Sequence, residues 1–135
     1  MAARAKTFEY AVSLEESWAA RSDRGGGVLP GVEDPAWTPE HLVLAGLARC
    51  TLTSLRHHCG RAGIELTSTA LARGTVTRRE EDGRFAFVEI SCEADVAFDP
   101  KPEDAAVEEL LAKAERDCFV GASLTAKPSY TWRVA

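Results

Sequence analysis

The sequence contains no apolar run long enough to cross a bilayer: its longest, Leu42 to Ala48, falls far short of the roughly 18–20 residues a span requires. No membrane partner is expected. The amino terminus passes from Met1, Arg4 and Lys6 directly into a polar-alternating segment, without the apolar stretch of a secretory signal, so the expected location is the cytoplasm. Positive charge is also short, with 16 basic against 21 acidic side chains and a net charge of -5. That balance argues against nucleic acid, whose binding depends on neutralising phosphates. None of the four cysteines forms a Cys-x-x-Cys pair, so neither a zinc knuckle nor a thioredoxin-type motif is expected, and no metal or cofactor is assigned. Gly-x-Ser-x-Gly, a phosphate-binding glycine loop and His-Glu-x-x-His are all missing, and Gly25-Gly26-Gly27 is only a turn signal. No internal repeat or low-complexity tract is visible.

With 45% hydrophobic and 27% charged residues over 135 positions, the chain has the composition of one globular domain, residues 1–135. Thr7 to Leu14 alternates, placing Phe8, Tyr10, Val12 and Leu14 on one face of an expected half-buried outer strand. Residues 15–37 are rich in breakers (Gly25 to Gly27, Pro30-Gly31, Asp34-Pro35), which predicts a hairpin tip and loop; its length suggests a further short strand.

Thr38-Pro39-Glu40 carries the marks of a helix start: a hydroxyl cap, proline at the first helical position and an acid in the first turn. Gly63 closes the helix about 24 residues later, roughly 36 Å at 1.5 Å per residue. Its first half is apolar on every side, the pattern of a buried helix. A domain of this size has a radius of gyration near 14 Å, so covering such a helix all round calls for a second subunit. Ile64 to Arg79 and Arg84 to Phe98 alternate about an Asp82-Gly83 turn and predict a long antiparallel ribbon, with Ala86, Val88, Ile90, Cys92, Ala94, Val96 and Phe98 on one face. Asp104 to Asp117 predicts a second helix with Val107, Leu110, Leu111 and Ala114 buried; Cys118 stands at its end. A turn through Gly121 and Leu124 then leads to a closing strand, Ser129 to Val134, in which Tyr130, Trp132 and Val134 share a face.

A cysteine on a core helix is ordinarily a small hydrophobe, and that reading suits Cys92 and Cys59; Cys50, taken alone, admits it too. Cys59 lies about 180° round the helix from Cys50, so the two cannot pair within it. His57 is nearly on the Cys50 face but about 10.5 Å along the axis, beyond a hydrogen bond. His57 and His58 read as helix-end residues near the negative pole, and His41 faces away from Cys50.

Two segments together resemble the OsmC/Ohr family of thiol-dependent hydroperoxide reductases. One runs from Trp37 through Pro39, Glu40 and Leu42 to Cys50; the other runs from Ala114 through Cys118, Val120 and Gly121 to Leu124. The likeness extends over residues 37–135, with residues 1–36 matching loosely. It implies an α+β, OsmC-like fold in which antiparallel sheets pack on a long buried central helix carrying Cys50. It further implies an intertwined homodimer with two active sites at the subunit interface. By position, Cys50 is the peroxidatic thiol, Cys118 the resolving thiol and Glu40 the acid that orients a catalytic arginine, for which the corresponding loop offers Arg21 or Arg24. A buried thiol needs a cation to ionise, and Arg49 and Arg56 project about 100° and 120° away from Cys50 round the helix. The implied substrate is an organic hydroperoxide, favoured over hydrogen peroxide by the apolar helix face and Trp37, with the Cys50–Cys118 disulfide reduced by a cellular dithiol of the lipoyl type. Cys59 and Cys92, on other faces, are expected to remain free. Two alternatives use the same residues: a redox-sensing thiol switch, and a non-catalytic OsmC-fold protein that binds a small hydrophobic ligand.

Overall fold

A computed structural model of the chain describes residues 5–31, 33 and 36–135. Met1 to Arg4 of the basic start and the Asp34-Pro35 breaker lie outside the described residues. The chain divides into two units, Met1–His41 and Leu42–Ala135.

In the first unit, β1 (Val12–Leu14) and β2 (Ala20–Ser22) form an antiparallel hairpin. Ala20 also bridges Leu29, so the short strand suggested within residues 15–37 is β2. The strand expected over Thr7 to Leu14 is confined to its last three residues. Its supposedly buried face is open: Phe8, Tyr10, Val12 and Leu14 are between 57% and 69% exposed. The reason is geometric, because a hairpin of two three-residue strands offers no second layer to cover that face.

The second unit is built around α1 (Pro39–Arg61), whose first residues belong to the preceding unit. The Thr38 hydroxyl accepts the His41 backbone N–H at 3.2 Å, a cap on one of the free donors of the first turn. At the other end Ile64 N–H reaches the Cys59 carbonyl at 2.9 Å and Gly63 N–H the Gly60 carbonyl at 3.2 Å. This pair of bonds is the Schellman closure, and it requires the left-handed φ of 71° that Gly63 supplies at no steric cost. Within the chain α1 buries one stripe, Leu47, Thr51, Leu55 and Cys59, at i, i+4 spacing. Leu42 is 39% exposed and Ala45 is exposed. The helix expected to be buried all round is therefore covered on one side by its own chain.

That stripe packs on a three-stranded sheet ordered β3 (Glu65–Arg78), β4 (Phe85–Asp99), β5 (Ser129–Val134). The β3–β4 ribbon is antiparallel as expected, but β5 runs parallel to β4, so the sheet is mixed rather than antiparallel. Ile90, Cys92, Ala94, Val96 and Phe98 face the helices. The expected inward phase breaks above Ile90. Thr75 pairs with Glu89 but Val76 with Phe87, so Val88 is a bulge without a partner. Val88 turns out, and Phe87 takes the inward place.

α2 (Asp104–Arg116) buries Val107, Leu110 and Ala114 against Leu55, Cys59, Ala94, Val96 and Phe98. A second core cluster surrounds the first half of α1, where Leu47 meets Ile90, Cys92 and Cys118. Each fully buried leucine, Leu47 and Leu55, contributes about 1.5–3 kcal/mol of burial. The expected turn after Cys118 is instead a short helix, α3 (Phe119–Ser123). The second core cluster, roofed by α3, holds the sulfur chemistry.

Candidate active site

Cys50 is half-buried on α1, and Cys118 is fully buried at the junction of α2 and α3, 68 residues later. The fold brings them together through one turn of backbone. Val120 N–H donates to Cys50 Sγ at 3.5 Å, and Gly121 N–H donates to Cys118 Sγ at 3.4 Å. Successive amides of α3 thus serve the two thiols, and the thiols interact with each other as well. Burial pushes the Cys50 thiol above its ordinary value; the Val120 N–H works against that rise, while the neighbouring Cys118 adds to it.

Behind the pair sits a hydroxyl. Thr51 is fully buried and donates to the Leu47 carbonyl at 2.8 Å, with two sulfurs as its other neighbours. Those neighbours are Cys118 Sγ at 3.6 Å and the Cys92 thiol at 3.9 Å. Cys92 was expected on a face apart from Cys118; the structure places both in one cluster, because the inward face of β4 is the floor beneath α3. Burial pushes the Cys92 thiol up. Cys59 stays apart, in the core between α1 and α2, as its helical angle requires. Tyr130 on β5, directly opposite Cys92 in the parallel register, brings its phenol against Cys118 and Thr51.

Two further residues escaped sequence reasoning. His58 Nε2 meets Asp117 Oδ2 at 2.8 Å, and Arg116 holds the same carboxylate through two contacts of 2.9 Å. First Arg116 and then His58 hold the Asp117 carboxyl well below its usual range. The pair ties the end of α1 to the residue preceding Cys118. A histidine in the last turn of a helix signals dipole complementarity, which conceals a tertiary partner 59 residues away. His41, at the other end, has its Nδ1 2.6 Å from the Thr38 hydroxyl.

Glu40 is exposed in the first turn of α1, ten residues before Cys50. Arg21 is ion-paired to Glu15, and Arg24 lies over the Tyr10 ring at 5.0 Å, both contacts within the first unit. Arg49 and Arg56 are exposed and border an open groove between α1 and the start of β3.

A family model described as OsmC-like protein matches residues 31–133. The chain belongs to the OsmC family. Solved structures of similar fold cover almost the whole chain. The organic hydroperoxide resistance protein OhrB of Bacillus subtilis is 20% identical, with a TM-score of 0.61 over 96% of this chain and 98% of that one. An OsmC-like protein of unknown function from Vibrio cholerae is 15% identical, with a TM-score of 0.71 over 96% and 100%. An organic hydroperoxide resistance protein from Legionella pneumophila is 19% identical, with a TM-score of 0.60 over 98% and 99%. No curated protein matches. The OsmC match begins close to the start of the long helix, and the two cysteine segments both fall inside it. Among the described residues, no helix is long and apolar enough to cross a membrane.

Proposed function

We propose that this OsmC-family chain is a thiol-dependent peroxidase that reduces organic hydroperoxides through Cys50 and Cys118. The observation that carries the reading is the convergence of the two thiols on consecutive amides of α3, Val120 and Gly121. The Cys50 thiolate attacks one peroxide oxygen; the O–O bond breaks, and the alkoxide leaves as the alcohol after taking a proton. The Cys118 thiol then displaces hydroxide from the Cys50 sulfenic acid, giving the disulfide and water. A cellular dithiol of the lipoyl type returns both sulfurs to thiols by exchange.

Burial raises Cys50 and Val120 N–H supplies only a partial counter-charge, so the reading requires a cation at the sulfur. Arg21 or Arg24 is assigned that role and Glu40 the orientation of it. A homodimer is part of the same reading, supported by the uncovered apolar side of α1 at Leu42 and by the open face of Phe8, Tyr10, Val12 and Leu14. Four free cysteines accord with a reducing, cytoplasmic setting.

A thiol switch is the second reading, favoured by the elevated Cys50 thiol, which slows turnover without preventing a disulfide. One experiment separates the readings. The protein is treated with one equivalent of cumene hydroperoxide and its disulfides are mapped by mass spectrometry, followed by peroxide consumption in the presence of dihydrolipoamide. A Cys50–Cys118 disulfide with sustained consumption supports the peroxidase; the disulfide without turnover supports the switch. No oxidation of Cys50 leaves the ligand-binding OsmC fold.

A further inference from the structure

Gly121 and Tyr130 occupy one another's space. A methyl group built on Gly121 collides with the Tyr130 hydroxyl and stands 3.3 Å from Cys118 Sγ. The phenol therefore lies over the bare Cα of Gly121, beside the resolving sulfur, whose hydrogen-bond partners include the Gly121 N–H and the Thr51 hydroxyl. Thr51 has the Leu47 carbonyl, at 2.8 Å, as its closer acceptor. Among the described residues, the Gly121 amide donates to Cys118, and the Tyr130 hydroxyl is a further donor beside it. Parallel pairing of Tyr130 with Cys92 and packing of its ring beside Trp132, with centroids 6.4 Å apart, hold the phenol in that position.

We propose that Tyr130 is a positioning residue for the resolving step, its hydroxyl donating a hydrogen bond to Cys118 Sγ as that sulfur becomes a thiolate. The inference rests on the peroxidase reading of Cys50 and Cys118. In the step concerned, Cys118 gives up its thiol proton and its sulfur attacks the Cys50 sulfenic sulfur. The S–S bond forms, the S–O bond breaks, and hydroxide leaves with that proton as water. Tyr130 keeps its own proton throughout. Burial foremost, and then the neighbouring Cys118, hold the phenol above its ordinary range, which suits a permanent donor. Gly121 is a glycine for the same reason: any side chain there would evict the phenol.

The test follows single turnovers with cumene hydroperoxide by stopped flow, resolving sulfenic acid formation at Cys50 from disulfide formation. In Tyr130→Phe the first phase should keep its wild-type rate. The second should slow by about tenfold or more, the range for a hydrogen bond to a charged group, and its half-maximal pH should move to more alkaline values. Gly121→Ala should slow the same phase, and the double variant should be no slower than either single one. An unchanged second phase and pH profile in Tyr130→Phe, or additive effects in the double variant, overturns the proposal. A general loss of structure would depress both phases, which also counts against a positioning role. Should the wild-type protein form no sulfenic acid, the peroxidase reading fails by itself. The Tyr130 contact is then decided in Cys50→Ser by 13Cβ-cysteine NMR. A more alkaline Cys118 transition after Tyr130→Phe supports it, and an unmoved one overturns it.

Discussion

Gly74→Ala probes the bulge that shapes the wall of the cysteine cluster. Gly74 lies on β3 opposite Ile90, just before the register shift, and the Phe87 ring sits on its bare Cα. A Cβ there would be 2.5 Å from Phe87 Cε1, 2.7 Å from Cδ1 and 3.2 Å from Leu44 Cδ2. Leu44 of α1 crowds the same point, and both residues pack against the cluster of Leu47, Ile90, Cys92 and Cys118, which limits the room for the ring to move. Alanine in place of glycine inside a strand gains about 0.5–1 kcal/mol of backbone entropy. Overpacking of this kind costs about 1–3 kcal/mol. The steric cost outweighs the entropic gain, and a net loss of about 1–2 kcal/mol is expected. In urea, with a slope of about 1–3 kcal/mol/M, that lowers the midpoint by about 0.3–2 M at unchanged slope. The variant Phe87→Ala supplies the control, since removing the ring should turn Gly74→Ala from destabilising to neutral or stabilising. Gly74→Ala that stabilises the protein with Phe87 in place would refute the seating of the ring, and with it the inward phase assigned beyond Val88.

Cys50→Ser is expected to abolish hydroperoxide reduction while leaving the thermal transition in place, checked by peroxide consumption beside circular dichroism. Of Arg21→Ala and Arg24→Ala, the one that removes the proposed cation should raise the pH at which Cys50 reacts with iodoacetamide, because losing a positive neighbour disfavours the thiolate; no movement in either ends the assignment. Asp117 has a carboxyl held below the ordinary value of 3.8 by Arg116 and then His58. A depressed folded value contributes stability that is present above about pH 4 and lost as pH falls through the folded value. Asp117→Asn should therefore flatten the fall in melting temperature between about pH 5 and pH 2, and an acid limb identical to wild type would contradict this.

Local chemistry announces the ends of α1: the Thr38 hydroxyl and Pro39 at one end, Gly63 at the other, each satisfying a backbone group or sparing one whatever the tertiary context. Asp82-Gly83 similarly marks the turn between β3 and β4, where Gly83 takes a φ of 70°. The bulge leaves no such mark. Phe85, Ala86, Phe87 and Val88 are apolar in succession, so alternation continues into either phase, and the choice falls to Gly74 and Leu44 across the ribbon and the helix. The direction of β5 is hidden for a related reason, since period-2 alternation has no polarity. α3, at five residues, is shorter than the two turns a helical period needs to declare itself.

Cys50 and Cys118 were legible because each is embedded in a run of neighbours that resembles a family segment. Their partners come one by one from other elements: Thr51 from the buried stripe of α1, Cys92 from the floor of β4, Tyr130 from the parallel edge strand. Each of these, read along its own element, has a sufficient explanation as core, and periodicity assigns it there. What distinguishes them is direction of hydrogen bonding. Thr51 has the Leu47 carbonyl as its nearest acceptor, while Gly121 and Tyr130 offer donors on the other side. In the proposed resolving step, the hydroxyl of Thr51 is a hydrogen-bonding neighbour of the thiol, and the donors on the other side stabilise the sulfur once its proton has left with hydroxide. A core chosen for packing alone has no need of these groups, and a small aliphatic residue at position 51 with phenylalanine at 130 would fill the same volume. The polar atoms retained at both positions, beside a thiol that meets Cys50 across one backbone turn, are the part of the core that packing alone does not require, and they are the part the proposed resolving step would use.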